Sequence, residues 1–366
     1  MTTNIHTDRN HLQIADLYKR FGKTAAVNGV SLDIQRGELV TLLGPSGCGK
    51  TTTLQMIAGF HLPDRGAIVL NGADITARPA YQRGMPLVFQ EYALFPHLSV
   101  FENIAFGLKL RKTGKQGIRD RVTAILNQLG LSQTADRFPN QLSGGQQQRI
   151  ALARALVLSP EVLLLDEPLS NLDAKLRLQV RYEIKELRRQ FQITALYVTH
   201  DQEEALSISD RIAVMNQGVV EQYGTPWEVY YRPKTEFVAR FIGETNFLDV
   251  AILAAQPAAG HTQVRFRWRD REFSGRTEQA ALAPDRTMKI LLRPEALTLM
   301  PWAAGHTADR AIRGTIERSS FLGTITRYWL DIGGQELVVD DAKTAEHGPF
   351  QGDVAVGFSP HNLYFL

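Results

Sequence analysis

Cysteine is nearly missing from this 366-residue chain: Cys48 stands alone. A single thiol cannot close an internal disulfide, so packing must hold the fold, and a reducing compartment is expected. Long apolar runs are missing too. The most hydrophobic stretches, ELVTLLG and VLLLDE, fall far short of the roughly 20 residues a membrane helix needs. Both end in glycine or carboxylates. The chain is therefore not expected to cross a membrane by itself, and any membrane role requires another chain. The opening MTTNIHTDRNHLQIADLYKRFG is polar and lacks the apolar core of an export signal, so none is expected. Nor is there an excess of charge of one sign. A net charge of +3 is too small to recruit nucleic acid or an anionic bilayer in bulk. No segment is of low complexity. What remains, 44% hydrophobic and 22% charged residues, is the composition of a globular protein with room for two domains.

Up to about residue 240 the chain alternates short apolar runs with amphipathic stretches. The runs 38–44, 162–167 and 193–200 (ELVTLLG, VLLLDE, ITALYVTH) read as buried parallel strands with function at their carboxyl ends. DAKLRLQVRYEIKELRRQF (173–191) places Leu176, Val180, Ile184 and Leu187 at helical spacing. The alternation predicts an α/β domain over 1–240. Residues 241–366 change texture: TQVRFRWRDREFSG (262–275) alternates as a half-buried strand does. TITRYWLDIGGQELVVDD (324–341) reads as two strands about an Ile-Gly-Gly turn. With PAAGHT and PWAAGHT as loops, this part is expected to be a smaller all-β domain, a small barrel of the oligonucleotide-fold kind.

GPSGCGKT follows the first predicted strand and precedes a helix, with Gly44, Gly49, Lys50 and Thr51 at the phosphate-loop spacing. Glycines let backbone N–H groups curl about phosphates, the lysine reaches the outer ones, and the threonine hydroxyl helps hold Mg²⁺. Ser46, Gly47, Cys48 and Thr52 complete this expected nucleotide-binding set. Cys48 itself reads as a tolerated small residue, since nothing supplies a partnered base. Asp166 and Glu167 end another buried strand: the first can orient Mg²⁺, the second can polarise a water attacking the γ-phosphate. His200 ends a third strand, where it can contact that phosphate or hold the water. Finally, Ser143, Gly144, Gly145 and Gln146 in LSGGQ form a capping box at a helix start. That helix end suits an anion, yet no lysine accompanies it.

In order and in company, these residues resemble the ATP-binding subunits of ABC transporters, over residues 12 to 240. GPSGCGKT resembles the family's nucleotide loop, Gln90 in VFQEYALFPHLSV the Q-loop glutamine, and LSGGQ the signature. LLLDEP resembles the second Walker motif, SNLD with Asp173 the D-loop, and His200 the switch histidine. Phe21 in LYKRFGK takes the place of the adenine-stacking aromatic, with Tyr18 nearby as a second candidate. The resemblance implies a P-loop ATPase domain with a helical subdomain over about 90–140. It also implies Glu167, His200 and Gln90 in catalysis, and Mg²⁺ held by Thr51, Gln90 and Asp166.

NLDAKLR, YVTHDQEEAL, DRIAVMNQGVVEQYGTPWEVYYRP, FVARFIGETN and LLRPEAL narrow the resemblance to importer subunits with a C-terminal TOBE, oligonucleotide-fold-like extension. FIGETNFL and DQEEAL lean toward the polyamine, opine and phosphonate branch, with iron and sugar importers as alternatives. The resemblance implies a homodimer in which Ser143, Gly144, Gly145 and Gln146 of one chain meet ATP on the other. It further implies membrane permeases as partners, an extracytoplasmic solute-binding protein as an indirect one, and a place at the cytoplasmic face of the cell membrane. A soluble ABC ATPase of translation or DNA repair would carry fused nucleotide domains or a long coiled coil, and an exporter a fused membrane domain. Nucleic acid is disfavoured despite RFRWRDREF, because arginine alternating with aromatics equally suits a solvated strand.

Overall fold

The computed structural model describes residues 10–279, 282–302, 311–359, 361 and 363–366. They form two compact units, the first ending at Val229 and the second beginning at Tyr230. At the centre of the first lies a six-stranded sheet. Its order is Val219–Gly224, Arg211–Asn216, Leu39–Leu43, Thr194–Thr199, Val162–Asp166 and Leu87–Val88. All neighbours pair in parallel except Val219–Gly224, which runs antiparallel to Arg211–Asn216.

The near-continuous apolar runs have a direct cause: both faces of the sheet are covered. Leu163, Leu165, Ala195 and Tyr197 enter one core with the helices Val100–Leu110, Lys115–Gln128, Gly144–Leu156 and Ala174–Phe191. The alternate residues Val162, Leu164, Leu196 and Val198 enter a second core on the other face. There they meet Leu54, Met56 and Ile57 of the helix Lys50–Ala58 and a four-stranded antiparallel sheet. The helix expected over 173–191 spans Ala174–Phe191 with Asp173 as its cap. It buries Val180 and Ile184 and packs Leu176 and Leu187 on the core. Because the strands run parallel, their carboxyl ends meet along one edge of the sheet. Gly44, Gln90, Asp166 and His200 all leave from that edge.

The second unit holds the short helix Glu236–Ile242 and two five-stranded antiparallel sheets. They share a core that includes Val250, Ile252, Phe266, Tyr328, Leu330 and Val356. The stretch 262–275, expected as one strand, is a hairpin: His261–Trp268 pairs with Arg271–Thr277, turning at Arg269 and Asp270. Arg269 carries the left-handed turn conformation (φ 53°) that glycine or asparagine would have signalled, and the alternation runs on unbroken through the turn. At the Ile-Gly-Gly turn Gly333 and Gly334 are both left-handed, and the strands Thr326–Asp331 and Glu336–Asp341 flank it. PAAGHT is a hairpin turn between Ala258 and His261, whereas PWAAGHT falls mostly outside the described residues. The helix Glu236–Ile242 straddles the boundary expected at 240, and the whole of it is tied to the second unit. Lys289 pairs with Glu236 at 2.6 Å and the Arg293 guanidinium donates to the Ala239 carbonyl at 3.0 Å.

Candidate nucleotide site

Gly44 ends the buried strand Leu39–Leu43, and the chain turns through residues 45–49 into the helix Lys50–Ala58. Gly49 sits at φ 102° as the cap of this helix, and a Cβ there would lie 2.2 Å from the Ala26 carbonyl oxygen. A Cβ on Gly44 would lie 2.3 Å from the Met215 carbonyl oxygen. Both positions therefore require glycine by steric contact, and Gly49 by backbone angle as well. No side chain caps the helix, so its first N–H groups remain available to an anion. Ser46 and Gly47 are exposed and Thr52 is half-buried, whereas Cys48 is buried. The Cys48 sulfur lies 3.8 Å from the Lys50 ammonium, and burial pushes its thiol up, which fits a packing role. Lys50 is buried and folded back, donating to the Gly44 and Pro45 carbonyls at 2.7 and 2.9 Å. Its charge is thus stored on the loop that would present it to phosphate.

Thr51, one position on, donates its hydroxyl to Asp166 Oδ1 at 3.2 Å. Burial raises the Asp166 carboxyl above its ordinary range, and the Glu167 charge adds to this. The Thr51 hydroxyl and Lys50 ammonium pull the other way. A hydroxyl and a part-desolvated carboxylate are hard oxygen donors, so this pair fits Mg²⁺. Glu167 follows in a left-handed conformation (φ 44°), its N–H donating to Val198 O at 3.0 Å and its carbonyl accepting from Ser170. Strain at a non-glycine residue is a feature of functional turns. Here it aims the carboxylate across to the neighbouring strand end, where His200 Nδ1 lies 3.0 Å from Glu167 Oε2. His200 is more than half exposed and Glu167 largely covered.

Gln90 is exposed past the strand Leu87–Val88, and its carbonyl accepts from Asn171 Nδ2 at 3.0 Å. The loop beyond it contains two further left-handed residues, Tyr92 and Ala93. Both carbonyls accept from the Arg154 guanidinium, at 2.9 and 2.7 Å. Asn103, fully buried, accepts from Phe95 N–H and donates to the carbonyls of Phe95, Leu98 and Ser99. Sequence reasoning missed Arg154, Asn103 and Asn171. A signal for Asn103 existed: it shares the apolar face of Val100, Ile104 and Leu108, where a polar residue must be bonded.

The LSGGQ segment is a capping box as read: Ser143 Oγ accepts from Gln146 N–H and Gln146 Oε1 from Ser143 N–H. Ser143 and Gly144 are exposed, while Gly145 is buried against Leu176, whose side chain would lie 2.9 Å from an added Cβ. Among the described residues no hydrogen bond or ion pair joins Ser143–Gln146 to the loop 44–52. Asp173 is engaged in its own chain, where its carboxylate accepts from Leu176 N–H at 2.9 Å. Phe21 is 47% exposed on its hairpin, edge-on to His61 and under the Lys19 ammonium. Tyr18 lies beneath Arg65 and is less accessible.

Comparison with known proteins identifies the family of the chain. Residues 27–170 match the family model described as ABC transporter, and residues 290–366 the one described as TOBE domain. The Fe(3+) ions import ATP-binding protein FbpC of Rhizobium etli is 44% identical over 348 residues, 95% of each chain. The spermidine/putrescine import ATP-binding protein PotA of Aliivibrio fischeri is 50% identical over 312 residues, 85% of this chain and 82% of that one. Among solved structures, cbiO1 from Clostridium perfringens, part of the ABC transporter complex cbiONQ, superposes with a TM-score of 0.58. It is 30% identical and covers 64% of this chain and 93% of its own. The chain belongs to the ATP-binding subunits of ABC transporters, enzymes that hydrolyse ATP, and carries a TOBE domain over its last part.

Proposed function

We propose that this ATPase energises import of a small polar solute, polyamine first, as a homodimer docked on membrane permeases at the cytoplasmic face. Solute would reach those permeases from an extracytoplasmic binding protein. The observation that carries the reading is the shared sheet edge. Thr51 meets Asp166 there, Glu167 meets His200, and Lys50 and the open N–H groups stand beside them. In this reading Lys50 leaves its loop carbonyls for the outer phosphates of ATP, and Ser46, Gly47, Gly49 and Thr52 line them. Phe21 stacks on adenine. Thr51, Asp166 and Gln90 would hold Mg²⁺, which would supply neutralisation of phosphate charge. Glu167 takes the proton of the attacking water while His200 holds the carboxylate and water in line. The exposed start of the helix Gly144–Leu156 offers Ser143, Gly144 and Gly145 to ATP on the partner chain. Asp173 stands at that junction.

The 50% identity to a protein named for spermidine and putrescine supports the polyamine reading. Iron is the second reading, because relatives named for Fe(3+) match 95% of the chain. Uptake of labelled putrescine and of labelled Fe³⁺ should be compared in cells with and without the gene, complemented by wild type and by Glu167→Gln. Loss of polyamine uptake alone, restored only by wild type, is the expected result. Loss of iron uptake alone would shift the reading to iron, and loss of neither would remove both.

A further inference from the structure

His200 sits between two residues that one buried polar network holds. Before it, the Thr199 hydroxyl donates to Glu204 Oε2 at 2.8 Å and accepts from Asp201 N–H at 3.0 Å. After it, Asp201 caps the next helix by accepting from Glu204 N–H at 3.0 Å through Oδ1. Glu204 is 3% exposed and also accepts from the Tyr197 hydroxyl at 3.0 Å. The other oxygen of Asp201 faces two guanidiniums of the helix Ala174–Phe191, Arg181 at 3.0 Å and Arg177 at 3.5 Å. Arg177 reaches the other way as well, donating to the Leu172 carbonyl at 3.1 Å, just before Asp173. Its Nε lies 3.8 Å from Glu204 Oε1. The turn bearing His200 is thus clamped to the turn bearing Asp173.

We infer that Arg177 and Arg181, acting through Asp201, are positioning residues that hold His200 against Glu167 and tie it to the turn at Leu172 and Asp173. The inference rests on the reading of His200 as a group that acts at the γ-phosphate. A plain stability role would need only burial and charge balance. The geometry supplies more: one carboxylate divides its two oxygens between a helix cap and the arginines, and one arginine spans two functional turns. Closure of a partner chain onto the Asp173 turn would then be felt at His200 through a single guanidinium. Positioning of this kind is worth a large factor in rate, because small displacements of an aligned group are costly.

Asp201→Asn is the selective variant, since Oδ1 still caps the helix while the paired charge is lost. Full-length Asp201→Asn, Arg177→Met and the double variant are assayed for kcat and KM with MgATP, in wild-type and His200→Ala backgrounds. The imidazole resonances of ¹⁵N-histidine-labelled protein are followed in parallel. Each single variant should lower kcat about tenfold with KM moved less than about twofold. The pair should be no worse than the worse single, and no further loss should appear in His200→Ala. The His200 resonance should move in Asp201→Asn. An unmoved resonance with unchanged kcat, while His200→Ala is inactive, would overturn the inference and leave the role of His200 standing. Activity lost only in proportion to folded protein, with the resonance in place, would overturn it equally. A His200→Ala enzyme of wild-type kcat would instead remove the underlying reading. If His200→Ala falls to the assay floor, the resonance alone decides.

Discussion

Glu167 does two things that separate it from the carboxylate beside it. It accepts a strained left-handed backbone, and it lies 3.0 Å from the imidazole of His200. A base acting on water needs its charge and aim, whereas in the proposed reading nucleotide affinity would rest on Lys50 and the loop. Glu167→Gln should therefore keep ATP affinity and lose steady-state hydrolysis by a factor of 10² or more, on the order expected for a general base. A long-lived ATP-bound dimer should appear in light scattering. Wild-type turnover in this variant would remove Glu167 from that role. Asp166 carries the opposite balance. Its carboxyl is raised by burial, so its contribution to stability is fully present when it is protonated and is lost as pH rises through the raised value. Above the ordinary carboxylate range this upward shift burdens the nucleotide-free protein. Asp166→Asn should raise the melting temperature there, by roughly 2 to 4 °C for each kcal/mol relieved, and the gain should shrink as pH is lowered. A drop at neutral pH would show that Thr51 and Lys50 already compensate the charge.

The helix Gly144–Leu156 runs from the LSGGQ cap to the loop at Tyr92 and Ala93. Its start carries the exposed Ser143 and Gly144, and its last turn carries Arg154, which holds the carbonyls of Tyr92 and Ala93. Gly145→Asp would press a branched anion against Leu176, at the helix start proposed to meet the partner chain's phosphate. ATP affinity of the monomer should stay unchanged while hydrolysis stops. Equal loss of affinity, measured by nucleotide titration, would mean that the helix start serves its own chain's ATP. Arg154→Met should act at the other end. Hydrogen exchange over 92–99 should rise with ATP affinity unaltered, and an unaltered exchange pattern would assign the loop's order to Asn103 alone. These elements mark what was legible in the sequence. Lys50, Thr51, Glu167 and Ser143 stand out because phosphate, metal and helix-cap chemistry admit few residue types at fixed spacing. Arg154 and Arg177 do not, since a guanidinium whose partners, distant carbonyls for Arg154 and Asp201 for Arg177, meet it only in the fold looks like any surface arginine until the chain is folded. The hairpin at Arg269 stayed hidden for a different reason: its turn residue is not one that favours φ above zero.

Each unit of the whole molecule buries apolar residues of its own, in two cores in the first and one in the second. Leu165, Tyr197 and Val198 belong to the first, and Tyr328, Leu330 and Val356 to the second. The α/β character of the first and the β character of the second were legible from periodicity, because covered parallel strands and one-faced antiparallel strands leave different patterns. The division was less so. The helix Glu236–Ile242 shows an ordinary amphipathic pattern, and only its ties to Lys289 and Arg293 place it with the second unit. Separate cores imply separate melting. Every residue assigned to nucleotide lies in the first unit, so ATP in the presence of a chelator should raise one calorimetric transition and leave the other in place. The stabilisation is about 2.7 kcal/mol at a ligand concentration one hundredfold above Kd. Leu330→Ala, in a position of 0% exposure, should lower the other transition alone, by about 2 to 5 kcal/mol. A single transition moved by both ATP and Leu330→Ala would mean that the units unfold as one body. Nucleotide could then report to the TOBE domain through folding energy itself, with no separate signalling contact required.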